Sequence, residues 1–206
     1  MLLMKGIYAA KNWFSAVLSP ITKAAIKFHL SPNLFTLIGV LGGVLAGIGI
    51  FELQAWLVLT GVIVRLAGAN LDGAVARARN LQSKRGFWIN ELGDRLADTA
   101  LFAGFFVLAN NRAGTWVTAF QLIAMALAVA PTAVSLWGHF HGVTRINGGP
   151  FGKSERAFGA VLVVLVIQLG SPLVQTLETW AVLVVFGSLL TAEVRSRRIG
   201  RELSGL

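Results

Sequence analysis

Residues 32–51 read PNLFTLIGVLGGVLAGIGIF, a run without a single charge, and this stretch decides the environment of the chain. At about 1.5 Å of rise per residue, a helix of this length matches the ~30 Å hydrocarbon core of a bilayer. Ser31 is a good N-cap and Pro32 suits the first helical position, so the helix is expected to start there. Gly39, Gly43 and Gly47 recur every four residues. They leave a face without side chains, against which another helix can pack closely.

Further apolar runs follow at about 53–71, 87–108, 116–137, 158–174 and 180–194, which predicts six crossings in all. The last two are short, and Pro131 should kink the fourth. Composition agrees. Of 206 residues 55% are hydrophobic and 13% charged, with mean hydropathy +0.71, whereas a soluble domain carries about 25% charged residues. A water-soluble fold is excluded. The absence of cysteine also excludes a disulfide scaffold, thiolate metal sites and a thiol nucleophile, leaving oxygen or imidazole to hold any metal.

The net charge of +9 is distributed rather than patched. Lys5, Lys11, Lys23 and Lys27 precede the first run. Arg77, Arg79, Lys84 and Arg85 follow the second, Arg145, Lys153 and Arg156 follow the fourth, and Arg195, Arg197, Arg198 and Arg201 follow the sixth. With six crossings all of these fall on one side, Arg112 alone lies on the other, and Arg65 and Arg95 fall inside helices. That asymmetry predicts an inner-membrane protein with both termini cytoplasmic, its basic loops facing anionic lipid rather than nucleic acid. Residues 1–30, where Ile7, Trp13, Phe14, Val17 and Leu18 alternate with lysines, read as an amphipathic segment on the membrane surface. They carry no h-region or cleavage site of a signal peptide. The expected fold is all-α integral membrane: one domain, 1–206, made of the interfacial segment 1–30 and a six-helix bundle 31–206. The six tryptophans, Trp180 among them, fall near expected helix ends and read as an interfacial belt.

A charge within the membrane costs about 3 kcal/mol on insertion scales and marks a functional site by default. Asp72 is expected to end the second helix. Glu91, Asp94, Arg95 and Asp98 lie in the first half of the third, where Asn90, Asp94 and Asp98 step by four along one face. The two helices can bring Asp72 opposite Asn90 and Asp94 in a polar pocket at headgroup depth. Glu91 and Asp98 read as structural pairing partners, and Asp94 has Arg65 or Arg95 as a possible ion-pair partner. His139 and His141, two apart, do not share a helix face and read as solvated loop residues.

At these residues the chain resembles the CDP-alcohol phosphotransferase family, whose pattern is D-x-x-D-G-x-x-A-R-x8-G-x3-D-x3-D. Asp72, Gly73, Ala76 and Arg77 match it, as do Gly86 and Asp94 at unbroken spacing. Ala69 and Asn90 stand at the two remaining acidic positions. The resemblance extends to the N-terminal amphipathic helix, to Pro32 and Asn33 at the first crossing, and to the six crossings. It implies transfer of a phosphatidyl-type group from a CDP-linked lipid of the CDP-diacylglycerol type to a small alcohol, with release of CMP, by a homodimer. It also implies a metal site at the motif, here Asp72, Asn90 and Asp94, with Asp94 as base. Gly73, Arg77 and Asn33 would contact the CDP group, and Lys153 and Arg156 a phosphate on the acceptor.

The departures change the electrostatics. Four carboxylates in the family are implied to hold two divalent ions; two carboxylates and an amide are expected to hold one Mg²⁺ or Mn²⁺. Two other classes stay open on the sequence alone. One is a catalytically silent relative that binds nucleotide or lipid or scaffolds lipid enzymes, motivated by Ala69 and Asn90. The other is a small transporter using the intramembrane charges as an ion relay. The sequence does not choose the acceptor alcohol.

Overall fold

The structure, a computed structural model, describes residues 11–205, so Lys5 and Ile7 of the interfacial segment lie outside the described residues. The described residues form helices and connections without a strand: α1 (Lys11–Val17), α2 (Ser19–Lys27), α3 (Pro32–Phe51), α4 (Ala55–Ala78), α5 (Lys84–Arg112), α6 (Thr115–Leu127), α7 (Ala130–Phe140), α8 (Lys153–Gln168) and α9 (Leu173–Leu203). The first crossing has the bounds expected of it, and the Ser31 hydroxyl accepts from the Asn33 backbone N–H at 3.3 Å as its cap.

Among the described residues four segments are long and apolar enough to cross a membrane: Pro32–Phe51, Ala55–Ala78, Thr115–Phe140 and Leu173–Leu203. The third is α6 and α7 together, broken by two residues just before Pro131, as the proline requires. Two of the six expected crossings do not qualify. α5 is 29 residues long but carries Lys84, Arg85, Glu91, Asp94, Arg95, Asp98 and Arg112, and α8 has 16 residues. Leu37, Leu41 and Ile48 on α3 and Phe186 and Leu190 on α9 are exposed. That many outward-facing large apolar side chains fits lipid as the surrounding solvent.

α3 is the centre of the first half, packed against both α4 and α5. Its glycines work inside the chain: a Cβ on Gly43 would sit 2.5 Å from the Ala97 carbonyl oxygen of α5. A Cβ on Gly68 of α4 would meet the Gly39 backbone nitrogen at 2.5 Å. In lipid, where apolar side chains gain nothing by leaving solvent, such backbone contact supplies the dispersion energy that joins helices. Leu18, between α1 and α2, and Ala25 of α2 form a small cluster with Phe35, Leu71 and Val75.

The second half packs α6, α7 and α8 against α9. Trp180 does not belong to an interfacial belt. α9 begins seven residues before it, so it lies within the helix at 3% exposure. Its ring fills the space left by Gly159 and packs at a tilt against that of Phe105, at a centroid distance of 5.5 Å. Trp13, Trp56, Trp88, Trp116 and Trp137 are exposed, as a belt requires. Within this half Gln121 donates to the Leu177 carbonyl at 2.8 Å, and a polar link joins the two halves where the α4 N-terminus at Ala55 donates to Gln168 of α8 at 3.2 Å.

Candidate active site

α4 runs past Leu71 to Ala78, so Asp72 does not end the helix but sits on it, followed by another turn and a half. That extension holds Gly73 and Arg77 on one helical face, four residues apart. The Arg77 guanidinium folds back over the glycine: a Cβ there would lie 3.0 Å from Nη1. Glycine leaves room there for that guanidinium, or for a ligand that displaces it, to lie against the backbone.

Asp72 is 3% exposed. Its carboxylate accepts from the Thr36 hydroxyl of α3 at 3.0 Å, from its neighbouring Gly73 N–H, and from the side-chain amide of Asn90 on α5. Asn90 thus faces Asp72 as expected. Asp94, one turn further along α5, is 8% exposed and pairs with Lys153 Nζ at 2.5 Å. Its partner is therefore neither Arg65 nor Arg95, because those guanidinium groups are engaged elsewhere. Arg65 pairs with Asp98, and Arg95 approaches Asp98 and Glu91 at 3.5 and 3.6 Å. Glu91 also binds Arg145. The pairing expected of Glu91 and Asp98 is what the structure has, and neither lines the cavity.

That cavity measures about 1380 Å³, above the roughly 300–1,000 Å³ typical of small-ligand pockets. Every residue singled out at the motif and beyond it lines this cavity: Asn33, Ala69, Asp72, Gly73, Arg77, Asn90, Asp94, Lys153 and Arg156.

Sequence reasoning missed three lining residues. Thr36 is the only hydroxyl in the apolar run of α3, which was an available signal. Arg145 and Arg195 were counted only as loop charges. Arg195 is buried, donating from Nε to Gly148 O at 3.1 Å and from Nη1 and Nη2 to Pro131 O and Asn147 O at 2.7 Å each. It therefore staples the 141–152 connection to α9. The Phe151 N–H bonded to Thr191 at 3.0 Å adds a second staple. The connection, held this way, carries Arg145 to the cavity. Arg156 is buried beside it, donating to the Phe151 carbonyl at 3.1 Å. His139 and His141 are exposed, but His139 lies on α7, its ring 5.6 Å from that of Phe87.

The sequence model of the CDP-alcohol phosphatidyltransferase family matches residues 29–191. The chain belongs to that family. Inner membrane protein YnbA of Escherichia coli is 30% identical to it over 155 residues, 73% of this chain and 75% of YnbA. A phosphatidylinositol phosphate synthase of Corynebacterium glutamicum is 25% identical over 205 residues, 96% of this chain and 90% of the synthase. Among solved structures, the Mycobacterium tuberculosis phosphatidylinositol phosphate synthase with CDP-DAG bound superposes with a TM-score of 0.70 at 20% identity, covering 89% of this chain and 94% of that one. The same synthase in complex with manganese and citrate gives 0.67 at 21% identity, over 87% of each chain. At these identities the likeness concerns the fold. A multi-pass membrane enzyme of phospholipid synthesis, moving a phosphatidyl-type group from a CDP-linked lipid to an alcohol, is what family membership makes of this chain.

The family works with divalent cations, and the residues present fit one. No three acidic or histidine side chains come together among the described residues. Two carboxylates and an amide at the cavity suit a single Mg²⁺ or Mn²⁺ that completes its shell with water and phosphate oxygens.

Proposed function

We propose that this cavity is the catalytic chamber, with Asp72, Asn90 and Asp94 holding one divalent ion and Asp94 taking the acceptor proton. The observation that carries the reading is the cavity's two-sided chemistry. Buried Asp72 and Asp94 share one space with a cluster of Arg145, Lys153, Arg156 and Arg195. Gly73, Arg77 and Asn33 would contact the CDP group. The room left at Gly73 admits a pyrophosphate, and the Arg77 fork matches its oxygens. When bound, the ion would neutralise charge on the pyrophosphate.

The acceptor hydroxyl then attacks the phosphorus that bears the lipid. The bond from that phosphorus to CMP breaks, and the hydroxyl proton passes to Asp94. The cationic cluster supports an acceptor that itself carries a phosphate, as the names of the synthases among its relatives suggest. Lys153 and Arg156 would hold that phosphate, joined by Arg145.

The topology belongs to the same proposal. α5 and α8 would complete six crossings, because α5 buries its acidic groups against the bundle and the cavity rather than lipid. Both termini would be cytoplasmic, α1 and α2 interfacial, and the whole chain one membrane domain with the cavity open to the cytoplasmic leaflet. A homodimer is also proposed. Its contact would lie away from the α3 glycines, which are occupied by α4 and α5.

The test is CMP release from CDP-diacylglycerol with Mn²⁺ or Mg²⁺, across glycerol, glycerol 3-phosphate, inositol, inositol 1-phosphate and amino-alcohols. Release is expected with phosphorylated acceptors and not with their dephosphorylated forms. No release with any acceptor would contradict the reading and favour the silent relative, for which Ala69→Asp with Asn90→Asp should create turnover.

A further inference from the structure

We infer that Lys153 is a specificity-determining residue for this reaction: its ammonium occupies Asp94 until an anionic acceptor draws it away, so that the ion site is completed only when acceptor is present. The inference rests on the active-site reading above and goes beyond it.

The pair is asymmetric. Asp94 is held on α5 with a side chain 9% exposed, while Lys153 is the first residue of α8 and its side chain is 39% exposed. The carboxylate cannot leave; the lysine, on a flexible four-carbon stem, can. The ammonium end of the pair lies partly in solvent, where a competing anion can reach it.

The surroundings favour that exchange. Arg145, Arg156 and Arg195 line the same cavity as Lys153. Arg145 is paired with Glu91, and Arg195 spends its donors on backbone carbonyls. Lys153 is thus the cation of this cluster with both mobility and an immediate alternative partner in the catalytic pair. A phosphate entering among the arginines gains Lys153 as a ligand, and Asp94 loses its counter-charge at the moment an ion and a proton acceptor are needed. Asp72, held instead by neutral donors Thr36, Asn90 and Gly73, needs no such release.

The consequence is discrimination against water. Without acceptor, Asp94 is engaged and the CDP-linked lipid is protected. With Lys153 removed, water attacks the lipid-bearing phosphorus, the bond to CMP breaks, and phosphatidic acid and CMP leave. This is the same displacement with water as acceptor.

Mn²⁺ binding to the full-length protein in detergent, followed by electron paramagnetic resonance, reads the idea without turnover. In the parent protein glycerol 3-phosphate should tighten Mn²⁺ binding, and glycerol should not. Lys153→Met should bind Mn²⁺ about two- to fivefold more tightly without any acceptor, the worth of one partly exposed ion pair, and should lose the response to glycerol 3-phosphate. Lys153→Gln repeats the measurement where the methionine variant does not fold. Acceptor-free CMP release from CDP-diacylglycerol should rise in the same variants. Mn²⁺ affinity unchanged by the loss of Lys153 would overturn the inference, even where the parent transfers normally. Absence of transfer by the parent with every acceptor would instead overturn the active-site reading on which it stands.

Discussion

Asn90 on α5 donates its side-chain amide to the carboxylate of Asp72 on α4. A family position implied to be acidic is thus filled by a neutral donor that satisfies its neighbour. The contact joins the two helices of the motif through a neutral donor, where a second carboxylate would repel the first.

Asn90→Asp should therefore make folding ion-dependent. The exchange removes a hydrogen bond to a charged group, worth about 1.5–3 kcal/mol, and sets two carboxylates against each other. Thermal unfolding in EDTA should occur several degrees below the parent, and Mn²⁺ should raise the variant more than the parent. Equal Mn²⁺ response in both proteins would contradict the role assigned to Asn90.

Asp94→Asn should lower CMP release by about 10²–10⁴, the usual worth of a positioned base. Binding of CDP-diacylglycerol should survive, because Asp72, Gly73 and Arg77 remain. Single-turnover CMP release measured beside equilibrium binding of the lipid separates the two effects.

Glycine substitutions should differ in sign with position. Gly43→Ala forces a methyl against the Ala97 backbone, which is not a flexible neighbour, and should cost about 1–3 kcal/mol of bundle stability. At Gly200 nothing lies within 4 Å of an added Cβ. Alanine there should be neutral or gain up to about 1 kcal/mol through helix propensity. Thermal unfolding of both variants in one detergent checks the contrast.

Arg195→Lys should behave as a severe change rather than a conservative one. A lysine has no planar fork with which to hold the carbonyls of Gly148, Pro131 and Asn147 together. The 141–152 connection should become sensitive to limited proteolysis. The KM for a phosphorylated acceptor should rise by about tenfold or more, while the KM for CDP-diacylglycerol changes little, as expected for loss of about 1.4 kcal/mol or more of acceptor positioning.

Much of this was readable from residue order, for physical reasons that also explain the remainder. Ser31-Pro32 and an uninterrupted apolar run define α3 because capping and hydropathy agree there. α4 extends beyond its apolar run because Asp72, Gly73 and Arg77 face a cavity, not lipid, so hydropathy stops where the helix does not. The same limit misplaced Trp180: α9 starts at Leu173 in a stretch with Gln175, Thr176 and Glu178, which hydropathy read as a loop. Spacing brought Asp72, Asn90 and Asp94 together, since helix periodicity is local. The partner of Asp94 was out of reach: Lys153 is 59 residues away and arrives through the α8 N-terminus, which no local period encodes.

The central claim is that Asp72 and Asp94 share one divalent ion in this cavity. Crystals of the protein grown with Mn²⁺, CDP and glycerol 3-phosphate, examined by anomalous scattering at the manganese edge, test it most directly. A single peak in contact with both carboxylates and the pyrophosphate is the expected result. Two peaks at the motif, or none there with CDP bound, would contradict it.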